Sequence, residues 1–141
     1  GFEGRIAGHL TPEQSLPAIG QGAIGIECRM DDVRTSELIG ALDDPDTRCR
    51  VSAERAMNAR LHGGCQVPIA GYAELSGERL TMRGLVGRPD GSLVLRAQGE
   101  APRDEAEALG HRLAEDLLAQ GAGPILEAAA EAGGPPFRHG P

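Results

Sequence analysis

The sequence contains no lysine, and all 14 of its basic side chains are arginines. Schiff-base chemistry on a carbonyl substrate or with pyridoxal phosphate needs a lysine amine, and a phosphate-binding P-loop needs one too. Both kinds of site are therefore excluded from this chain. Arginine binds carboxylates through paired hydrogen bonds, so recognition of acidic groups stays open.

Aromatic residues and long apolar runs are also scarce. Tryptophan is absent, and the aromatic residues are Phe2, Tyr72 and Phe137. Hydrophobic residues still make up 40% of the 141 positions, which is enough for one compact domain with an aliphatic core. No apolar run approaches the roughly 18 residues that a membrane span needs, so we expect no membrane partner.

The charge and the cysteines narrow the class of protein further. A formal net charge of −7 without a basic cluster argues against a nucleic-acid partner. Cys28, Cys49 and Cys65 are odd in number and irregularly spaced, which favours a reducing compartment, here the cytoplasm, over a disulfide framework. His62 and Cys65 supply too few ligands for zinc, so we predict no metal site.

Apolar spacing and turn residues predict an α+β fold, with a three-stranded antiparallel sheet packed against helices. The predicted helices cover residues 35–42, 45–62, 102–120 and 125–132, and the predicted strands cover 67–75, 79–86 and 92–98. Gly63 is predicted to end the second helix in the left-handed conformation. In that helix, Cys49 is predicted to pack inward and Glu54 to lie on the solvent surface.

The first 42 residues fit this fold less well. Residues 23–28 predict a short strand with Ile24 and Ile26 on one face, yet few strands are available to pair with it. Cys28 is predicted to pack within that strand. Because Gly1 is not an initiator methionine, we expect a C-terminal fragment of a longer protein. We predict a remnant of truncated α/β domains over 1–42, an α+β domain over 43–132 and a flexible tail over 133–141.

Cys65 stands between two glycines and a predicted strand. A side chain at such a junction can be exposed, and the glycines let a bulky group approach the backbone. The alternative is a buried structural cysteine that follows a helix end. Upstream, the backbone amides of Gly20-Gln21-Gly22-Ala23 could bind carboxylates, or the run could be a tight loop.

Three runs carry a family resemblance. They are 16–29 (Leu-Pro-Ala-Ile-Gly-Gln-Gly-Ala-Ile-Gly-Ile-Glu-Cys-Arg), 51–58 (Val-Ser-Ala-Glu-Arg-Ala-Met-Asn) and 63–69 (Gly-Gly-Cys-Gln-Val-Pro-Ile). Together they resemble the porphobilinogen deaminase (hydroxymethylbilane synthase) family, whose fold has three domains. Residues up to about 18 resemble the end of its second domain, and the next residues, to about 42, resemble the segment that returns to the first. The rest resembles the third domain, which carries the cofactor.

The resemblance implies a transferase of tetrapyrrole (heme) biosynthesis. Such an enzyme joins four porphobilinogen units into hydroxymethylbilane and releases ammonia. By resemblance, Cys65 holds the dipyrromethane cofactor through a thioether, and Gln21, Gly22 and Ala23 line the cofactor side. Gly63 and Gly64 would let the cofactor arm move.

The same resemblance places the catalytic aspartate and most basic substrate-binding residues upstream of Gly1. We therefore assign no catalytic residue here and predict that the chain is inactive alone, while the full-length enzyme is expected to be a monomer. A non-catalytic domain that binds a tetrapyrrole or a protein is the first alternative. The second is a thiol-redox protein that uses Cys65, although no resolving cysteine lies nearby in sequence.

Overall fold

The computed structural model describes residues 1–64 and 67–132. Its regular elements are α1 (Val33–Gly40), α2 (Pro45–Arg60), β1 (Ile69–Ser76), β2 (Arg79–Gly87), β3 (Val94–Pro102), α3 (Ala106–Ala119) and α4 (Ala122–Ala132). Short 3-10 turns cover Glu3–Arg5 and Arg103–Glu105. The α+β class is confirmed. No helix in the described part of the chain is long and apolar enough to cross a membrane.

The sheet is the predicted antiparallel meander, in the order β1-β2-β3. Gly77 follows β1 with φ +59°, and Gly91 lies between β2 and β3 with φ +73°. Glycine adopts these left-handed angles without steric penalty, which is why both turns were readable from the sequence. Gly91 also closes its turn by donating its N–H to the carbonyl of Arg88 at 2.9 Å.

One face of the sheet packs against α2 and α3 and forms the core. The leucines that recur every four residues along α3 are all buried, as their spacing predicted. The core side chains are Ala53, Met57, Leu61, Ala73, Leu80, Met82, Val86, Ala101, Ala106, Leu109, Leu113, Ala114, Leu117, Ala122 and Ile125.

Small residues let these layers approach closely. A Cβ added at Gly110 of α3 would overlap the carbonyl oxygen of Ala53 and would lie 2.9 Å from the Met57 nitrogen. The two helices therefore touch through their backbones. Gly71 and Gly84 are register partners in the sheet, and together they leave room for the side chain of Met57.

Both edges of the sheet are capped. On the β3 side, the Gln120 side chain donates to the carbonyl of Arg96 at 3.0 Å, and Arg112 donates to the carbonyl of Glu100 at 3.3 Å. On the β1 side, Gly71 donates its N–H to the carbonyl of Pro17 at 3.0 Å. Edge groups of a small sheet are thereby given partners from the same chain.

The outer face of the sheet holds an ion-pair cluster around Arg83. Its guanidinium lies 2.7 Å from a carboxylate oxygen of Glu13 and 2.6 Å from one of Glu74. The guanidinium carbon also lies 5.8 Å from the centre of the Tyr72 ring. The pair with Glu13 attaches the N-terminal segment to the sheet.

The ends of α2 agree with the prediction at one terminus and differ at the other. Pro45 opens the helix, and the carboxylate of Asp44 accepts the N–H of Thr47 at 2.6 Å, as an N-cap should. At the other end, the left-handed residue is His62, with φ +53°, and the prediction for Gly63 was wrong. The helix ends at Arg60, two residues earlier than expected, so the left-handed position falls on histidine.

Gly63 is needed at this helix end for a different reason. Its N–H donates to the carbonyl of Asn58 at 2.9 Å, and the N–H of His62 donates to the carbonyl of Ala59 at 3.1 Å. This pair of bonds is a Schellman motif. A Cβ at Gly63 would overlap the Asn58 side chain and lie 2.9 Å from the Ile69 side chain.

The predicted strand over residues 23–28 is wrong, because this segment is irregular. A strand needs a neighbour to share its hydrogen bonds, and none of the described strands lies beside it. Ile24 and Ile26 are accordingly 91% and 52% exposed.

Three of the helices, α1, α3 and α4, begin at other residues than predicted, and α1 also ends two residues earlier, at Gly40. Helix α1 begins two residues earlier than predicted because Asp32 caps it, accepting the N–H of Thr35 at 3.0 Å. Helix α4 begins at Ala122 rather than at residue 125, and α3 follows a 3-10 turn. The predicted tail over 133–141 lies outside the described residues.

Candidate functional site

The Gly20–Ala23 turn is held in shape by local hydrogen bonds. Gly20 and Gly22 have φ of +68° and +86°, so a side chain at either position would strain the turn. Gln21 donates its N–H to the carbonyl of Ala18, and Ala23 donates its N–H to the carbonyl of Gly20, both at 3.0 Å. The side-chain oxygen of Gln21 also accepts the N–H of Ala18 at 3.0 Å.

Two hydrogen-bond donors of this turn face solvent. Three of its four backbone N–H groups already have acceptors in the protein, leaving that of Gly22 without one among the described residues. The side-chain NH₂ of Gln21 likewise has no acceptor there. Since Gln21, Gly22 and Ala23 are all exposed, these two donors could reach an acidic ligand.

Glu54 lies behind the turn and is only 5% exposed. One carboxylate oxygen accepts the N–H of Gly20 at 2.7 Å, and the other accepts the N–H of Ala73 at 2.9 Å. Burial raises the pKa of Glu54, while the two backbone amides act in the opposite direction. The predicted surface position of Glu54 was wrong.

The sequence held a signal for this burial. Position 54 precedes Met57 by three residues and Leu61 by seven, so it shares their helix face. A glutamate on an apolar face suggests a partner with hydrogen-bond donors, because an unpaired buried carboxylate is very unfavourable. Which donors these are could not be deduced, since they come from a distant turn and a strand edge.

The segment before the turn docks on the edge of β1. The carbonyl of Pro17 accepts the N–H of Gly71, and the side chain of Ile19 covers that glycine. A Cβ at Gly71 would lie 2.7 Å from the Cδ1 atom of Ile19. Two neighbouring edge amides of β1, at Gly71 and Ala73, are thus satisfied by Pro17 and Glu54.

An open groove of about 900 Å³ runs beside the turn, between residues 19–26, α1 and the first half of α2. Its lining includes the apolar side chains Ile19, Ile24, Ile26, Ile39 and Val51. Arg48 in the groove pairs with Asp43 at 3.0 Å. Arg55 is exposed and has no carboxylate within 4.0 Å among the described residues, so it is free to bind an anionic group.

The predicted cofactor residues can be compared only in part. Cys65 lies outside the described residues. Gly63 is half-buried and tightly packed, whereas Gly64 is exposed and a Cβ there would meet no atom within 4 Å. The structure therefore brings Gln21, Gly22 and Ala23 together in one turn, and Gly64 is the more open of the two glycines before Cys65.

The two other cysteines differ from each other. Cys49 is half-buried on α2, its thiol donates to the carbonyl of Arg103 at 3.4 Å, and burial raises the pKa of that thiol. This agrees with the predicted packing role. The predicted packing of Cys28 was wrong, because its segment forms no strand and its side chain is exposed, 3.4 Å from the Ser36 hydroxyl.

Comparison with protein-family models gives two matches that together span most of the chain. Residues 48–119, just over half of it, match the model described as the porphobilinogen deaminase C-terminal domain. Residues 1–37 match the model described as the porphobilinogen deaminase dipyromethane cofactor binding domain. The first match covers α2, the sheet and α3, and the second contains the Gly20–Ala23 turn.

Proposed function

This chain belongs to the porphobilinogen deaminase family, and we propose that it supplies the part of such an enzyme that holds the dipyrromethane cofactor. The family consists of transferases of tetrapyrrole biosynthesis, and dipyrromethane is its cofactor. One observation carries the proposal. The turn from the first matched segment is joined by the Glu54 carboxylate to the helix and strand of the second.

The groove beside the turn has the chemistry that a dipyrromethane requires. Such a group carries acetate and propionate carboxylates on two pyrrole rings. In the groove, the Gly22 N–H and the Arg55 guanidinium are donors for carboxylates, and the isoleucines offer apolar contact to the rings. The Gln21 NH₂, in the adjoining pocket, is a further donor. A groove of 900 Å³ lies within the range of about 300–1,000 Å³ that is usual for small-molecule sites. The residues present fit the group.

We assign the covalent attachment to Cys65, through a thioether on its sulfur. The Schellman motif fixes the chain up to Gly63, and the carbonyl of Gly64 accepts the N–H of Val67 at 3.0 Å. Because Gly64 is exposed and a Cβ there would meet no atom within 4 Å, it leaves room for a cofactor arm beside the backbone. Gly22 and Ala23 line the groove, and Gln21 lines a smaller adjoining pocket with Arg50 and Glu54. We assign Gln21, Gly22 and Ala23 to the cofactor side. When bound, the dipyrromethane supplies the pyrrole end to which porphobilinogen units are joined, with release of ammonia.

The two carboxylates that line the groove, Asp43 and Asp44, already have partners within the protein. Asp43 pairs with Arg48, and Asp44 caps α2 through the N–H of Thr47. Neither is in a position to act as a general acid toward a substrate while it keeps that partner. We therefore propose that this chain binds and orients the cofactor and does not turn over porphobilinogen by itself.

Intact mass spectrometry of the protein isolated from its own cells tests the attachment. We expect a mass above 14.7 kDa, with the addition on the peptide that contains Cys65. Cys65→Ser should abolish the addition, and Cys28→Ser, which changes an exposed thiol outside the proposed attachment, should keep it. The bare mass in the unmodified protein would contradict the proposal and favour the non-catalytic binding domain.

A porphobilinogen assay on the chain alone tests the second part of the proposal. We expect no ammonia release above the rate without protein. Sustained turnover would show that a catalytic acid is present in this chain.

A further inference from the structure

We propose that Glu54 is a positioning residue, which fixes the Gly20–Ala23 turn against β1 and so sets where the Gly22 N–H points. The importance of that turn for the cofactor rests on the proposed function. The hydrogen bonds by which Glu54 holds the turn are seen in the structure of the protein itself.

The hydrogen bonds of the turn separate into two kinds. Those from Gln21 and Ala23 end within the segment and therefore shape the turn without attaching it to the rest of the protein. The bond from Gly20 to Glu54 spans 34 positions, and Glu54 continues to Ala73, 19 positions further on. Within the described residues, the bond from Gly20 to Glu54 is the hydrogen bond to a distant part of the chain that lies nearest to Gly22 in sequence.

A carboxylate is suited to this bridge because it is an acceptor at both oxygens. The two N–H groups that it joins, on Gly20 and Ala73, are both donors. A glutamine of the same shape would present one acceptor and one donor, so it could satisfy only one of them. Burial raises the pKa of Glu54, whereas the two backbone donors and the charge of Arg50 act in the opposite direction and favour the carboxylate.

The test is amide hydrogen exchange of the full chain, measured residue by residue by NMR. In the unmodified protein, the amides of Gly20 and Ala73 should be protected, whereas Gly22 should exchange nearly as fast as an unstructured peptide. In Glu54→Gln, we expect exchange of Gly20 or Ala73 to rise about fivefold, the effect of losing one hydrogen bond. In Glu54→Met, which has no acceptor, both amides should exchange faster.

Glu115→Gln is the matched control. Glu115 is an exposed acid that pairs with Arg60 at 2.6 Å and has no contact with the turn, so this variant should leave Gly20 unchanged. Unchanged exchange of both Gly20 and Ala73 in Glu54→Gln would overturn the proposal. So would an equal acceleration at Leu113 in α3, since that would mean global destabilisation.

A second measurement separates this inference from the proposed function. The mass addition on Cys65 should be reduced in Glu54→Gln and unchanged in Glu115→Gln when both are made in the same cells. Faster exchange of Gly20 with a full mass addition would keep Glu54 as the residue that positions the turn. It would instead refute the assignment of the turn to the cofactor site.

Discussion

Gly110→Ala should destabilise the fold, because α2 and α3 touch through their backbones at this position. The added methyl group would overlap the carbonyl oxygen of Ala53 and meet the Met57 nitrogen at 2.9 Å. These backbone atoms cannot rotate away, so the helices must separate. Overpacking usually costs about 1–3 kcal/mol, and the better helix propensity of alanine returns up to about 1 kcal/mol. We expect a net loss of about 1–2 kcal/mol.

Thermal unfolding followed by far-UV circular dichroism is the suitable assay, since the chain has no tryptophan for fluorescence. The expected loss lowers Tm by roughly 4–8 °C in a domain of this size. Gly123→Ala in α4 is the control, because a Cβ there meets no atom within 4 Å. It should keep or raise Tm. A Gly110→Ala variant as stable as the unmodified chain would refute the close contact between the helices.

Three further predictions follow from the backbone angles and the ion pairs. His62→Gly should raise the free energy of unfolding in urea by about 0.5–1 kcal/mol, because histidine is strained at φ +53°. Gly22→Ala should speed exchange of the turn amides, whereas Gly25→Ala, which has no positive φ, should not. The hydrogen bond from Arg83 lowers the pKa of Glu13 from 4.5 to about 2, so this pair adds stability above pH 4.5 and loses it as the pH falls toward 2. An NMR titration should place the Glu13 pKa near 2, and Arg83→Leu should raise it toward its ordinary value, while the hydrogen bond with Thr11 continues to lower it. A midpoint near 4.5 in the unmodified chain would exclude the pair.

The regular elements were predictable where local chemistry decides them. The leucine repeat of α3 and the glycines of the two sheet turns each carry their own signal, and the structure has them as expected. The strand over residues 23–28 failed because a strand depends on neighbours that its own sequence does not specify. The prediction for Gly63 failed because α2 was expected to end at residue 62. The helix ends at Arg60, which puts the left-handed position on His62. Helix ends are the least certain part of such a prediction.

The Gly20–Ala23 turn of the candidate site could be predicted from the sequence, whereas the hydrogen bonds of Glu54 that hold it could not. The residue types of Gln21, Gly22 and Ala23 pointed to an exposed loop, and the family resemblance is confirmed by the two family matches. The attachment to Glu54 could not be predicted, because it joins a helix to a strand edge and to a turn 34 positions away. The cofactor roles of all six site residues remain predictions: Gln21, Gly22, Ala23, Gly63, Gly64 and Cys65.

The capped edges of the sheet have a consequence for association between molecules. A three-stranded sheet exposes two rows of backbone donors and acceptors on which another chain could add a strand and start an aggregate. Here Gln120 and Arg112 occupy carbonyls along β3, and Pro17 and Glu54 occupy amides along β1. Proteolytic removal of the residues before Gly20 would uncover the Gly71 amide and open the β1 edge. The N-terminal segment thus also protects the domain from strand addition by other molecules.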